Sequence, residues 1–138
     1  MERIYSRVEP DRLLHIVFKS DDLQVDGRID VSPETEGLQV AFLRLKNEQT
    51  FKPHIHKERP REIPRTQESW IIMRGIVGAT YYDTDGSFLC RKTLQAGDCT
   101  ITFAGGHNYR AYTSNTRVFE TKLGPFVGVD VDKEFISA

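Results

Sequence analysis

Short runs of apolar and β-branched residues recur along the chain, and polar turn residues separate them. Runs of this kind, spaced by roughly 8–12 residues, are typical of all-β sandwiches and barrels. The pattern predicts strands at residues 13–19, 38–46, 51–57, 68–74, 76–83, 87–94, 100–103, 108–113 and 117–123. No stretch keeps a helical period for three turns, although residues 131–137 favour one short helix.

Turn residues mark the ends of several predicted strands. The sequences DTDG at 83–86 and QAGD at 95–98 contain Asp and Gly, which tolerate the positive φ of tight turns. Gly105 and Gly106 predict another turn, and His107 then begins the next strand. The chain is therefore expected to form a single all-β domain over 1–138.

Size, charge and cysteine content narrow the class of protein. The 138 residues can bury a core without disulfides, and Cys90 and Cys99 are too few for a disulfide framework. A formal net charge of −1 gives no reason to expect nucleic acid or an anionic membrane as a partner. No apolar run approaches the ~20 residues that span a bilayer. These features favour a soluble protein of the cytoplasm.

Two histidines and a glutamate are the first candidates for chemistry. His54 and His56 would project to one face if residues 51–57 form a strand, and imidazole pairs of this kind suit a divalent transition metal. Glu68 is in phase with Trp70 and Ile72, which predicts an inward carboxylate that needs a partner or a cation. The alternatives remain open, since an HxH pair occurs by chance and a glutamate at a strand end can lie in water.

Two patterns in the sequence combine candidate metal ligands with glycines. The first pattern is HIH at 54–56, followed by Glu68, six further residues and Gly75. The second begins at Gly97, continues through TITF and AGG, and ends at His107. Together they resemble the two motifs of the cupin superfamily, small β-barrels that build a metal site from both. The resemblance implies a single-domain cupin, a jelly-roll-like barrel or double-stranded β-helix with little helix.

The resemblance also implies a ligand set for one divalent metal, which could be Fe, Mn, Ni or Zn. The ligands would be His54, His56, Glu68 and His107. Glu68 follows His56 by twelve positions, which is farther than in the common cupin pattern. Gln67 therefore stays open as an alternative ligand through its carbonyl oxygen.

Residues around this set are candidates for a pocket. Tyr109 shares strand parity with His107 and would offer a phenol as an acid or hydrogen-bond donor, or else serve as a core aromatic. Arg74 shares parity with Glu68 and is either a pocket cation or the exposed end of its strand. Segment 57–67 has a charge balance of +2, which would attract a carboxylate or phosphate unless it is a solvated loop.

Other strand residues favour structural roles. We expect Trp70, Ile72, Phe103 and Phe119 in the core, His15 as a packed or edge histidine, and Glu120 with Lys122 as a surface pair.

Two classes of function fit this sequence. One is a metal-dependent isomerase, epimerase, lyase or dioxygenase that acts on a small polar metabolite, neutral or anionic. By resemblance, this would be a sugar or sugar nucleotide linked to surface-polysaccharide synthesis. The other is a non-catalytic metabolite- or carbohydrate-binding module with a structural metal. The strands at 13–19 and 38–46 offer edges that a second copy would cover, which predicts a homodimer.

Overall fold

The fold is given by a computed structural model that describes residues 1–24 and 26–137, except the side chain of Leu23. The strands are β1 (Glu2–Tyr5), β2 (Leu13–Phe18), β3 (Gly27–Asp30), β4 (Ala41–Arg44), β5 (Glu68–Arg74), β6 (Ile76–Tyr82), β7 (Phe88–Gln95), β8 (Cys99–Thr102), β9 (Gly106–Ala111) and β10 (Arg117–Lys122). A 3₁₀ helix covers Ser20–Gln24, and the short helix α1 covers Val129–Asp132.

The strands form three antiparallel sheets. The largest has the order β1-β2-β8-β5-β10, the second has the order β7-β6-β9, and β3 pairs with β4 as a separate ribbon. Strands account for 41% of the chain and helices for 6%, which confirms the all-β prediction. In the part of the chain that the structure describes, the three sheets do not join into a closed barrel.

The first core layer lies between the five-stranded and the three-stranded sheet. Leu14, Val17 and Ile72 from the larger sheet pack with the side chains of β6 and β7, and all are almost fully buried. The hydroxyl groups of Tyr81 and Thr100 are 2.5 Å apart within this layer. Burial of this apolar surface is the main term that holds the two sheets face to face.

The second core layer lies on the opposite face of the five-stranded sheet. The region of the β3–β4 ribbon covers this face, and the rings of Phe18 and Phe42 lie 6.1 Å apart. Strand β2 is therefore buried on both faces, which explains its nearly continuous apolar sequence LLHIVF. It is also paired on both sides, so the expectation that 13–19 forms an edge is wrong. The homodimer stays a prediction.

Most of the other strand predictions agree with the structure, but one is wrong. No strand is present at 51–57, because Pro53 and the prolines at 60 and 64 interrupt a charged segment that pairs with no neighbour among the described residues. Strands β1 and β3 were missed, since each has four residues and a largely exposed sequence. The helix occurs at Val129–Asp132, and overlaps the predicted 131–137 at only two positions.

Phe119 corrects another expectation. It lies on the edge strand β10 and is 61% exposed, whereas its neighbour Val118 packs against the core. Trp70 is only partly buried, while Ile72 and Phe103 are core residues as expected. No helix of the described residues is long and apolar enough to cross a membrane.

His15 is a fully buried core histidine. In one tautomer its Nδ1 accepts a hydrogen bond from the Thr102 hydroxyl (3.0 Å), and its Nε2–H donates to the Tyr82 carbonyl (3.3 Å). The ring packs against Tyr81 at a centroid distance of 4.6 Å. Burial lowers the pKa of His15 to about 4, although the Tyr82 carbonyl opposes the shift.

This buried histidine predicts a loss of stability on mild acidification. The native state takes up the His15 proton only near pH 4, whereas an unfolded histidine titrates near 6.5. Because the unfolded state holds more protons in this window, the free energy of unfolding should fall by up to about 3 kcal/mol as pH falls through it. Urea denaturation at a series of pH values measures the slope.

The replacement His15→Gln should remove most of that slope, because glutamine keeps an acceptor and a donor without titrating. The exposed His54→Gln is the matched control and should keep it. Equal slopes in wild type and His15→Gln would contradict the assignment.

Candidate functional site

An open cleft with a volume of about 660 Å³ lies beside Glu68 and His107. Strands β5, β8 and β9 form its floor. Its walls are the end of the long loop between β4 and β5 (residues 45–67) and the C-terminal segment. The polar and aromatic residues that line it are Arg65, Thr66, Glu68, Trp70, Tyr82, Thr102, His107, Asn108, Tyr109, Glu120, Asp132, Lys133, Glu134 and Phe135.

Glu68 is the buried carboxylate of this cleft, with 6% of its surface exposed. Its Oε1 accepts a hydrogen bond from the Trp70 indole N–H at 2.9 Å and lies 3.2 Å from Nε2 of His107. Burial alone would raise the pKa of Glu68, but His107, the indole N–H and Lys133 outweigh it and lower the pKa. The predicted inward carboxylate is therefore present, and its partners are an imidazole and an indole.

His107 reaches the cleft because of the turn before β9. Gly105 has φ +72°, and a Cβ at this position would lie 2.5 Å from the Tyr82 carbonyl oxygen, so the turn requires glycine. His107 then pairs with Tyr81 in the β6–β9 ladder, which turns its ring towards Glu68. The turn at Gly105 and Gly106 and the strand that follows it thus bring His107 beside Glu68.

One ring nitrogen of His107 lacks a partner. In the neutral tautomer that donates Nε2–H to Glu68, Nδ1 carries a free lone pair. Nδ1 is buried and has no hydrogen-bond partner among the described residues. A buried polar atom without a partner costs about 1–3 kcal/mol, so a ligand atom that satisfied Nδ1 would gain from the contact.

Trp70 and Tyr109 form an aromatic pair at the cleft. Their rings stack with centroids 4.1 Å apart and an interplanar angle of 26°, and the Tyr109 ring also lies 5.0 Å from that of His107. The Trp70 N–H is shared between Glu68 and Oε2 of Glu120, which is 3.2 Å away. Glu120 thus contributes to the site and does not form the predicted surface pair.

The hydroxyl of Tyr109 is buried and also lacks a hydrogen bond of good geometry within the described residues. Burial raises the pKa of Tyr109 well above its usual value, and the nearby Tyr81 and Glu68 raise it further. The phenol therefore remains protonated at neutral pH, so it can donate a hydrogen bond or proton, and its oxygen can also accept a hydrogen bond.

The C-terminal segment 132–136 forms one wall of the cleft. Ile136 lies against Gly106, where an added Cβ would be 2.3 Å from its Cδ1, so glycine leaves the space that the side chain fills. Asp132 accepts a hydrogen bond from the Thr66 hydroxyl at 2.5 Å, which joins this wall to the end of the long loop. The sequence pattern predicted a short helix at 131–137, whereas residues 133–136 of this wall belong to no helix or strand.

His54 and His56 lie on that long loop and are exposed. Their rings are 5.1 Å apart, and Nδ1 of His54 is 2.9 Å from the Lys52 carbonyl. The described residues contain no group of three His, Cys, Asp or Glu side chains placed to hold a metal ion. The structure thus has the four predicted ligands as two pairs, His54 with His56 and Glu68 with His107.

Gln67 and Arg74 lie away from the cleft. The Gln67 amide accepts from the Leu38 N–H at 2.7 Å and donates to Glu36 at 2.6 Å, on the opposite side of β5 from Glu68. Arg74 is the last residue of β5, and Glu68 is the first. At the usual rise per residue of a strand, the two lie about 20 Å apart. This geometry favours the alternative in which Arg74 is an exposed strand end.

Segment 57–67 contributes little positive charge to the cleft. Of its four basic residues only Arg65 is among the described residues that line it, and Lys57, Arg59 and Arg61 are exposed elsewhere. Lys133, which sequence reasoning did not select, is the second cation of the lining.

Comparisons with protein-family models, with curated proteins and with solved structures found no match.

The contact between Ile136 and Gly106 predicts that Ile136 anchors the cleft wall formed by residues 132–136. Ile136→Ser should release the segment, because it removes apolar contact while adding no bulk. Trypsin should then cleave after the exposed Lys133 several-fold faster than in wild type, as followed by mass spectrometry. Ile136→Val keeps most of the contact and should behave as wild type, so equal cleavage of all three proteins would disprove the anchor.

Proposed function

We propose that this protein binds a small polar metabolite in the cleft, with a sugar as the leading class, and that Glu68 and His107 are its reactive pair. The observation that carries the proposal is the buried, unpartnered Nδ1 of His107 beside a carboxylate that holds the other ring nitrogen. Such an imidazole is prepared to accept a hydrogen bond or a proton. The aromatic pair and several carboxylates add the mixed polar and apolar surface that sugars favour.

The geometry gives each residue a role in a proton transfer. His107 would accept the proton at Nδ1, and Glu68 would hold the ring orientation and stabilise the imidazolium through Nε2–H. Tyr109 remains protonated, so it would orient or donate to a ligand oxygen if it reaches one. This arrangement supports an isomerase or epimerase; a binding module would use the same contacts without turnover.

We also propose that the chain is a cupin. The support is the order of the two sequence patterns, the two sheets that pack face to face, and a cleft at which Glu68 and His107 meet. Fold alone does not define the reaction, so the proposed chemistry rests on the side chains of the cleft.

The single tryptophan provides a direct test of ligand binding. Trp70 is the only tryptophan of the chain and lines the cleft, so a sugar that binds there should change its fluorescence. We expect saturable changes with at least one member of a panel of neutral, amino and phosphorylated hexoses. His107→Gln should weaken that binding by about tenfold, since one good hydrogen bond is worth about 1 kcal/mol or more.

Arg74→Gln is the matched control, because Arg74 lies at the far end of β5, and it should bind as wild type does. Absence of any saturable change across the panel would refute sugar binding. Incorporation of deuterium from D₂O into a bound sugar, followed by NMR and lost in His107→Gln, would separate an enzyme from a binding module.

A metal centre is the second candidate function. The observation that favours it is the pairing of His54 and His56 on the loop whose end, Arg65 and Thr66, lines the cleft. As described, the two ligand pairs do not form one coordination set, and closure of the loop would be needed to unite them.

Metal analysis tests this candidate. If the loop closes on Glu68 and His107, purified protein should hold about one divalent transition metal, and His54→Ala or His56→Ala should lose most of it. Glu68→Gln should lose less, because it keeps an oxygen donor, and Gln67→Ala should retain the metal. Unchanged content in both histidine variants, or loss only in Gln67→Ala, would reject the set.

A further inference from the structure

The charges that line the cleft restrict the ligands it can take. Four carboxylates face two cations, a balance of −2, although the whole chain has a formal net charge of only −1. The carboxylates belong to Glu68, Glu120, Asp132 and Glu134, and the cations to Arg65 and Lys133.

The two cations do not neutralise this charge by direct pairing. Among the residues that the structure describes, neither Arg65 nor Lys133 forms a salt bridge with a carboxylate. Instead, Asp132 accepts from the neutral Thr66 hydroxyl, and Glu120 accepts from the neutral Trp70 indole. These neutral partners leave the net charge of the lining negative.

The hydrogen-bonding groups of the floor point to the same class of ligand. The indole N–H, which would suit an anion, is already engaged by Glu68 and Glu120. Among the described residues, the buried polar atoms without a partner are Nδ1 of His107, which accepts from a ligand hydroxyl or ammonium group in the neutral tautomer, and the Tyr109 hydroxyl, which can donate or accept. Nδ1 and the carboxylates of the lining thus offer acceptors that suit the O–H and N–H groups of a ligand.

We infer that the cleft takes an uncharged or amine-bearing sugar and discriminates against phosphorylated sugars and sugar nucleotides. This inference rests on the proposed function and narrows its ligand class. A phosphate would meet repulsion from the four carboxylates of the lining, whereas a protonated amine would be attracted by them. The long loop does not reverse this preference, because Arg65 is its sole basic residue among those that line the described cleft.

The negative electrostatic potential of the cleft can be measured without any ligand, by charged quenchers of Trp70 fluorescence. Relative to a free tryptophan analogue, caesium should quench Trp70 several-fold more efficiently than iodide, with acrylamide as the neutral reference. Glu134→Gln should narrow this difference, because it removes one charge of the lining without touching the indole. Glu58→Gln, on the exposed loop, is the matched control and should leave it unchanged. Quenching by iodide that equals or exceeds that by caesium would overturn the inference.

Ligand selectivity is measured by titrating Trp70 fluorescence with glucose, glucosamine and glucose 6-phosphate, and with the same three forms of galactose and mannose. We expect the phosphate form to bind at least about tenfold more weakly than its neutral and amino counterparts at low salt, and Glu134→Gln to reduce that ratio. Equal or tighter binding of a phosphate form would overturn the inference and leave sugar binding intact. Failure of every form to bind would overturn the proposed function and this inference together.

Discussion

Burial of the five-stranded sheet on both of its faces is the constraint on which the rest of the structure depends. One face packs on the three-stranded sheet, and the other packs under the region of the β3–β4 ribbon. Strand β5 lies inside this sheet, between β8 and β10, so its side chains are fixed in register from both sides. Glu68 is the first residue of that strand, so its backbone is held rigidly where the strand borders the cleft.

The chemistry of the cleft follows from the same burial. A carboxylate withdrawn from water must be satisfied by hydrogen bonds, and Glu68 obtains them from Trp70 and His107. This arrangement also fixes the imidazole tautomer. Both contacts are made to Oε1 of Glu68, whereas Nδ1 of His107 has no partner among the described residues. Departures of this kind from full hydrogen bonding are common at sites that bind ligands.

The sequence predicted those parts of the molecule in which local pattern and tertiary packing agree. The alternation ESWIIMR defined β5 and its inward glutamate, and glycine chemistry located the turn before His107. Other parts depend on contacts between distant segments, which no local pattern contains. Trp70 and Phe119 were assigned to the core, because strand parity cannot show how far a covering layer extends. HIH at 54–56 was assigned to a strand, but among the described residues no neighbouring strand pairs with this segment. The wall at 132–136 is held by Ile136 and Asp132 through such distant contacts.

The hydrogen bond between Thr66 and Asp132 has a consequence for how proteins of this design can diverge. It joins two irregular segments that supply both walls of the cleft, and neither segment belongs to a sheet ladder. Substitutions there leave the paired strands and the core untouched, so they are tolerated more readily than changes in β5 or β9. Variation in these two segments can therefore reshape the mouth of the cleft while the contact between Glu68 and His107 persists.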